Sequence, residues 1–112
     1  MKNKLSIFYT LCGSLSDAED LASLLLIKNR AVCVNLFKNI SSFYKENNKI
    51  IKSFETGLII KTKCSKSVLI DFVIKNHKYE IPFILKIKSQ SINKEYLEWA
   101  MQIQKNESIS KK

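Results

Sequence analysis

Two long segments with β-strand character flank a pair of asparagines near the middle of this 112-residue chain. Residues 31–46 read AVCVNLFKNISSFYKE and residues 49–63 read KIIKSFETGLIIKTK, and both are rich in β-branched and aromatic residues. Asn47 and Asn48 between them suit a tight hairpin turn, because asparagine tolerates a positive φ. The pattern therefore predicts a β-hairpin whose arms are about 15 residues long, or roughly 50 Å if straight.

A hairpin of this length is too long to remain inside a compact domain, whose radius of gyration would be only about 13 Å. The arms must therefore bend or project. Asn39 and Gly57 lie near the middle of the two arms, and both residue types tolerate the backbone of a bulge. The outer arms are too apolar for a solvated ribbon, since they contain Ile40, Phe43, Tyr44, Ile50, Ile51 and Phe54. We therefore expect a partner surface there, most simply another copy of the chain.

The segments around the hairpin alternate between strand and helix patterns. Before the hairpin they predict a strand at 5–11 and a helix to about Lys28, which begins with the capping-box spacing of Ser16-Asp17-Ala18-Glu19. After the hairpin they predict a helix at 68–76 capped by Ser65 or Ser67, a strand at 81–88 and a helix from Asn93. This order predicts an α+β fold, a ferredoxin-like split βαβ sandwich with a long central β-hairpin and an extra C-terminal helix. We expect one domain over residues 1–112, with its core at about 5–103 and a polar tail at 104–112 that frays.

Charge and cysteine content narrow the partners and the compartment. The net charge is +9, but Arg30 is the only arginine and the lysines are scattered, so nucleic acid is not expected as a partner. Cys12, Cys33 and Cys64 are odd in number and widely spaced, as in reduced thiols of a cytoplasmic protein. No apolar run approaches the roughly 20 residues that span a bilayer, and we expect neither a membrane segment nor a signal peptide.

Four stretches, taken together and in order, resemble the CutA family of divalent-cation tolerance proteins. AVCVNLFKNISSFY (31–44) resembles the family's Ala-Ala-Cys-Val-Asn motif and the strand after it, and LIIKT (58–62) its second long strand. HKYEIPF (77–83) is similar to the His-Pro-Tyr-Glu-x-Pro-Glu block, and YLEW (96–99) matches the Tyr-Leu-x-Trp helix. The resemblance implies a ferredoxin-like subunit in a tight homotrimer, with hairpins packed between subunits. It also implies a role in tolerance to divalent metals, copper binding, and no established catalytic activity.

The HKYEIPF block contains the chain's only histidine, His77. On the residues alone, this histidine follows the second helix and could bond a free carbonyl at the helix end. The cleft that the resemblance implies would bring it near Cys12, although the first and last strands of such a sheet need not be adjacent. Histidine with cysteine suits copper, and Glu80 could add an oxygen ligand or pair with a lysine. The predicted metal site is therefore His77, Cys12 and Glu80, for copper or another divalent cation, with no cofactor required.

The chain departs from the family pattern at the same block. Lys78 replaces the proline after the histidine, and Phe83 replaces the glutamate after Pro82. Both changes make the site less anionic, so we expect weak cation binding even where the geometry is right.

The favoured hypothesis is a homotrimeric tolerance protein that is not an enzyme. The alternative is a trimeric small-ligand sensor resembling the PII signalling proteins, which share this subunit topology. Only Gly13 and Gly57 are present, so there is no glycine-rich phosphate loop to support it. An acylphosphatase-like hydrolase would need such a loop beside a positioned arginine. RNA binding would need exposed aromatic side chains such as Tyr9 and Phe37 on an open sheet face.

Overall fold

The described residues fold as a four-stranded antiparallel sheet with three helices. The structure is a computed structural model that describes residues 4–89 and 91–110, with the backbone alone for 104–110. The elements are β1 (Ser6–Cys12), α1 (Leu15–Ile27), β2 (Cys33–Glu46), β3 (Lys49–Thr62), α2 (Lys66–Asn76), β4 (Ile84–Ile87) and α3 (Lys94–Ser110). The strand order is β2-β3-β1-β4, which confirms the predicted ferredoxin-like α+β fold.

Serine caps begin the two main helices. Ser14, and not the predicted Ser16, caps α1, and its hydroxyl accepts a hydrogen bond from the Asp17 amide at 3.1 Å. Since β1 ends at Cys12, the helix can begin as soon as the chain has turned, and Ser14 is the first serine available. Of the two candidates for α2, Ser65 is the cap, and its hydroxyl accepts from the Val68 amide at 3.4 Å.

The main core lies between one face of the sheet and the helices α1 and α2. Side chains of β1 alternate, so that Phe8 and Cys12 point to this face and are buried. They pack with Leu58 and Ile60 of β3 and with helix residues that include Leu25 and Leu69. A second, smaller cluster joins Leu5, Val32 and Ala100, with Cys33, Tyr96, Leu97 and Ile103 packed against it. The core thus ties both main helices to one face of the sheet.

A bulge divides the long hairpin into an inner and an outer half. Phe37 pairs with Gly57 and Ile40 with Glu55, so two residues of β2 lie opposite one residue of β3. Asn39, one of these two, has φ 62°. At Gly57 a Cβ would lie 2.8 Å from Ile40 Cδ1, so this position needs glycine for close packing. The bulge that Asn39 and Gly57 predicted is therefore present.

The outer half of the hairpin, residues 40–55, is a two-stranded ribbon that projects from the sheet. The ladder of β1 on β3 runs from Ser6–Thr62 to Cys12–Thr56, and the ribbon lies beyond it. Asn47 and Asn48 form its tip with φ of 52° and 64°, as the sequence predicted. The radius of gyration is 15.6 Å and the longest dimension 53 Å, against about 13 Å for a compact chain of this length.

The last elements differ from the prediction in their extent. β4 has four residues instead of eight, because its ladder with β1 ends at the Thr10–Ile84 pair. Before it, the Thr10 hydroxyl donates to the Phe83 carbonyl at 2.7 Å. Helix α3 continues to Ser110 through most of the predicted polar tail, whereas residues 111–112 lie outside the described part. None of the helices in the described part of the chain has the length and hydropathy of a membrane span.

Candidate functional site

His77 lies at the corner between α2 and β4, and both of its ring nitrogens form hydrogen bonds there. It is the C-cap of α2, and its Nε2 lies 2.7 Å from the Leu11 carbonyl oxygen at the end of β1. Its Nδ1 lies 3.0 Å from the backbone nitrogen of Tyr79. A carbonyl can only accept and an amide N–H can only donate, so Nε2 carries the proton and Nδ1 is an acceptor. The ring therefore fastens the loop after α2 to β1, and neither nitrogen is free for a ligand.

Cys12 lies beside this ring, as the predicted pairing requires. Its Sγ is 3.8 Å from His77 Nε2, and the residue is buried at the end of β1. Burial, reinforced by the negative charges of Asp17 and Glu55, raises the pKa of the Cys12 thiol to about 11. Metals bind the thiolate, and this thiol stays protonated at neutral pH. The residues alone left open whether the first and last strands are adjacent, and in this sheet β1 pairs directly with β4.

A cavity of about 240 Å³ opens next to Cys12 and His77. Asp17 and Asp20 of α1 line it, together with Leu21, Leu24, Asn76 and Lys78. The Lys78 ammonium lies 3.7 Å from an Asp17 carboxylate oxygen, so a side chain of the protein already supplies a positive charge here. The two aspartates are not among the predicted site residues. Their spacing of three residues on a helix, which places both on one face, was the available clue.

Glu80, the third predicted ligand, lies apart from this cavity. Its side chain is exposed and is not among those that line the cavity. Within residues 4–89 and 91–103, no three His, Cys, Asp or Glu side chains form a group that could hold a metal ion. With both His77 nitrogens engaged and the Cys12 thiol protonated, these residues do not fit a preformed metal centre. Metal binding by His77, Cys12 and Glu80 stays a prediction.

Tyr79 connects the same corner to the base of the outer hairpin. Its hydroxyl donates to a Glu55 carboxylate oxygen at 2.7 Å, and its ring centroid lies 5.0 Å from that of His77. Burial and the bond to Glu55 raise the pKa of this phenol. The ring also packs closely on Gly13, where a Cβ would lie 3.2 Å from the ring. The link from Tyr79 to Glu55 depends on a strand register that the sequence does not reveal.

The fold and this corner define a ferredoxin-like subunit with a projecting hairpin. The two hydrogen bonds of His77, which join the loop after α2 to β1, form what we call the histidine clasp. A family model described as CutA1 divalent ion tolerance protein matches residues 6–103. The chain belongs to the CutA1 family, and the resemblance found in its sequence motifs is confirmed.

Individual relatives agree with this assignment. The chain is 33% identical over 106 residues to Protein CutA of Homo sapiens, a match that covers 94% of this chain and 58% of that protein. For the Protein CutA homolog of Xenopus laevis the identity is 33% over 100 residues, covering 88% and 66%. The chain thus spans less than two thirds of these vertebrate relatives. Divalent-cation tolerance protein CutA of Archaeoglobus fulgidus is 37% identical over 95 residues, covering 84% of this chain and 92% of that one.

Solved structures of the family share the fold. The divalent ion tolerance protein CutA1 from Ehrlichia chaffeensis superposes with a TM-score of 0.83 at 25% identity, covering 88% of this chain and 94% of the other. The periplasmic divalent cation tolerance protein CutA from Archaeoglobus fulgidus gives 0.80 at 35% identity, covering 88% and 97%.

Proposed function

We propose that this chain is a homotrimeric divalent-cation tolerance protein of the CutA type that acts by binding and not as an enzyme. One observation supports the assembly of subunits: the outer hairpin presents large apolar side chains to solvent in the isolated subunit. The exposed fractions are 65% for Phe43, 76% for Ile50 and 61% for Phe54. Each is a large apolar area on a projecting ribbon, which favours burial against another subunit.

The side chains of this ribbon also support its burial in a ring of subunits. Lys52 lies between two of the aromatic rings, with Nζ 5.8 Å from the Phe43 centroid and 5.0 Å from that of Phe54. Its stem and the rings make one continuous surface on one side of the ribbon. A ribbon that lies on a different surface of the next subunit forms a head-to-tail contact, and such contacts form a ring when the rotation between subunits closes. Three copies are what the family resemblance implies.

The assembly is tested by mass and by one apolar-to-acid substitution. Light scattering should give roughly 39 kDa, three times the 13.0 kDa chain. Phe43→Asp should shift this mass towards the monomer, since a buried unpaired carboxylate costs several kcal/mol in each interface. Ile81→Asp is the matched control, because Ile81 is 88% exposed in the loop before β4. A stable monomer at micromolar concentration, or an unchanged mass and melting temperature for Phe43→Asp, would contradict the proposal.

For cation binding, we propose that the corner of His77 and Cys12 takes up copper weakly. The two side chains are adjacent, but uptake must break the His77 hydrogen bonds and remove the Cys12 proton. In calorimetric titration with copper, His77→Ala and Cys12→Ser should each reduce binding more than Glu80→Ala does. Equal affinities for the wild type and all three variants would remove the site and leave His77 as a helix-end residue.

The three unpaired thiols support a reducing compartment, and we propose the cytoplasm. Fractionation of cells that produce the full chain would test this location.

A further inference from the structure

A second cavity is lined by positively charged residues and lies at the opposite end of β1 from the corner of His77. It measures about 340 Å³, and its lining consists of Lys4, Ser6, Lys86, Ile87, Lys88 and Ser89. The β1–β4 ladder ends at the Ile7–Ile87 pair, whereas Ser6 continues to pair with Thr62 of β3. The cavity therefore opens where β4 separates from β1. We call it the basic cleft.

Among the described residues, no acidic side chain neutralises the charge of the basic cleft. Three of its six lining residues are lysines and none is acidic. In the described part of the chain the one ion pair joins Lys78 to Asp17, at the other corner, so no carboxylate lies within salt-bridge distance of these lysines. Three lysines at one small cavity concentrate positive charge there, and a multivalent anion would neutralise it.

The remaining side chains of the basic cleft indicate the kind of anion. The serine hydroxyls of Ser6 and Ser89 can donate hydrogen bonds, as phosphate oxygens require. Lys86 is exposed, and its ammonium lies 6.0 Å from the ring centroid of Phe8, its partner in the β1–β4 ladder. Ile87 is the only apolar residue of the lining, and no aromatic ring is present to stack on a base. The cavity is also at the small end of the range for ligand sites.

We propose that the basic cleft binds an oligophosphate anion through Lys4, Lys86 and Lys88. The recognised chemistry is a short chain of phosphate groups, which is present both in inorganic triphosphate and in a nucleoside triphosphate. The ammonium groups act as point charges on the phosphate oxygens, and the serines add hydrogen bonds. This site is independent of the predicted copper ligands and of the hairpin surface.

The test is calorimetric titration of the full chain with sodium tripolyphosphate. Lys86→Gln/Lys88→Gln should weaken binding at least about tenfold, because hydrogen bonds to charged groups are strong. Lys66→Gln/Lys75→Gln on α2 is the matched control: it removes the same charge from two exposed residues outside the cleft, and should weaken binding less than about threefold. Lys4→Gln alone, at a residue outside every strand and helix, should also weaken binding and provides a variant that cannot disturb the sheet.

Further titrations identify the ligand. Equal affinity for ATP and tripolyphosphate would support recognition of the phosphate chain alone. Binding of ATP without binding of tripolyphosphate would overturn the proposal, as would sulfate binding as tightly as tripolyphosphate. No heat with tripolyphosphate, or equal weakening in the two double variants, would likewise overturn it.

Discussion

Replacement of His77 distinguishes a structural clasp from a metal ligand. The imidazole makes two hydrogen bonds. Its Nε2 donates to the Leu11 carbonyl, and its Nδ1 accepts from the Tyr79 amide. A hydrogen bond contributes about 1 kcal/mol net, so His77→Ala should lower the free energy of unfolding by about 2 kcal/mol. At roughly 4 °C per kcal/mol for a chain of this size, the melting temperature should fall by about 8 °C.

Two near-isosteric variants separate the two bonds. The Asn amide oxygen reaches the position of Nδ1, so His77→Asn should keep the bond from Tyr79 and lose that to Leu11. The Gln amide nitrogen reaches the position of Nε2, so His77→Gln should do the reverse. Each should cost about half as much as alanine, that is about 1 kcal/mol.

The assay is thermal unfolding without added metal, with every variant at one subunit concentration, because assembly makes the melting temperature depend on concentration. Glu80→Ala is the control, since Glu80 is exposed and outside the cavity, and it should leave the melting temperature unchanged. If His77→Ala melts like the wild type and yet loses copper uptake, the clasp is refuted and the residue is a ligand.

Three more substitutions test other features. Gly57→Ala should destabilise by about 1–3 kcal/mol, because its Cβ would lie 2.8 Å from Ile40 Cδ1; Ile40→Val should recover part of this loss in urea titrations, and no recovery would mean that the contact is not the cause. Since the pKa of Cys12 is raised from 9.0 to about 11, the folded state holds this proton more tightly; the stabilisation is full below pH 9 and is lost as the pH rises to 11. The melting temperature of Cys12→Ala should therefore fall less steeply over that pH range than the melting temperature of the wild type. Equally steep falls in the two proteins would contradict the raised pKa of Cys12. Tyr79→Phe should cost about 1–2 kcal/mol by removing the bond to Glu55, and a cost near zero would show that the bond does not contribute.

The sequence was sufficient for the parts of the fold that depend on local chemistry. Asn47 and Asn48 could be placed at a hairpin tip because few residues adopt positive φ, and Asn39 and Gly57 marked the bulge for related reasons. The cap of α1 was placed two residues late, because Ser14 and Ser16 are each followed three residues later by an acid. Only the end of β1 decides between them.

The candidate site was harder to predict because it depends on which elements are neighbours. That Cys12 approaches His77 requires α2 to end beside the end of β1. Whether His77 has a free nitrogen depends on the positions of the Leu11 carbonyl and the Tyr79 amide, which no residue type reveals. Glu80 has the right chemistry for a ligand, yet it lies outside the cavity. Residue types suggested the chemistry, and the sheet order determined which groups meet.

The bulge in β2 also sets the side of the ribbon on which each side chain lies. Up to Phe37, odd-numbered residues of β2 pair with odd-numbered residues of β3. From Ile40 onward, it is the even-numbered residues of β2 that pair with odd-numbered residues of β3. Phe43 therefore shares a side with Phe54, and a deletion of one residue at the bulge would move it to the opposite side. Residues removed in pairs at the tip would shorten the ribbon without this exchange. Among relatives, hairpin length should therefore vary at the tip, while the count of residues between sheet and bulge stays fixed.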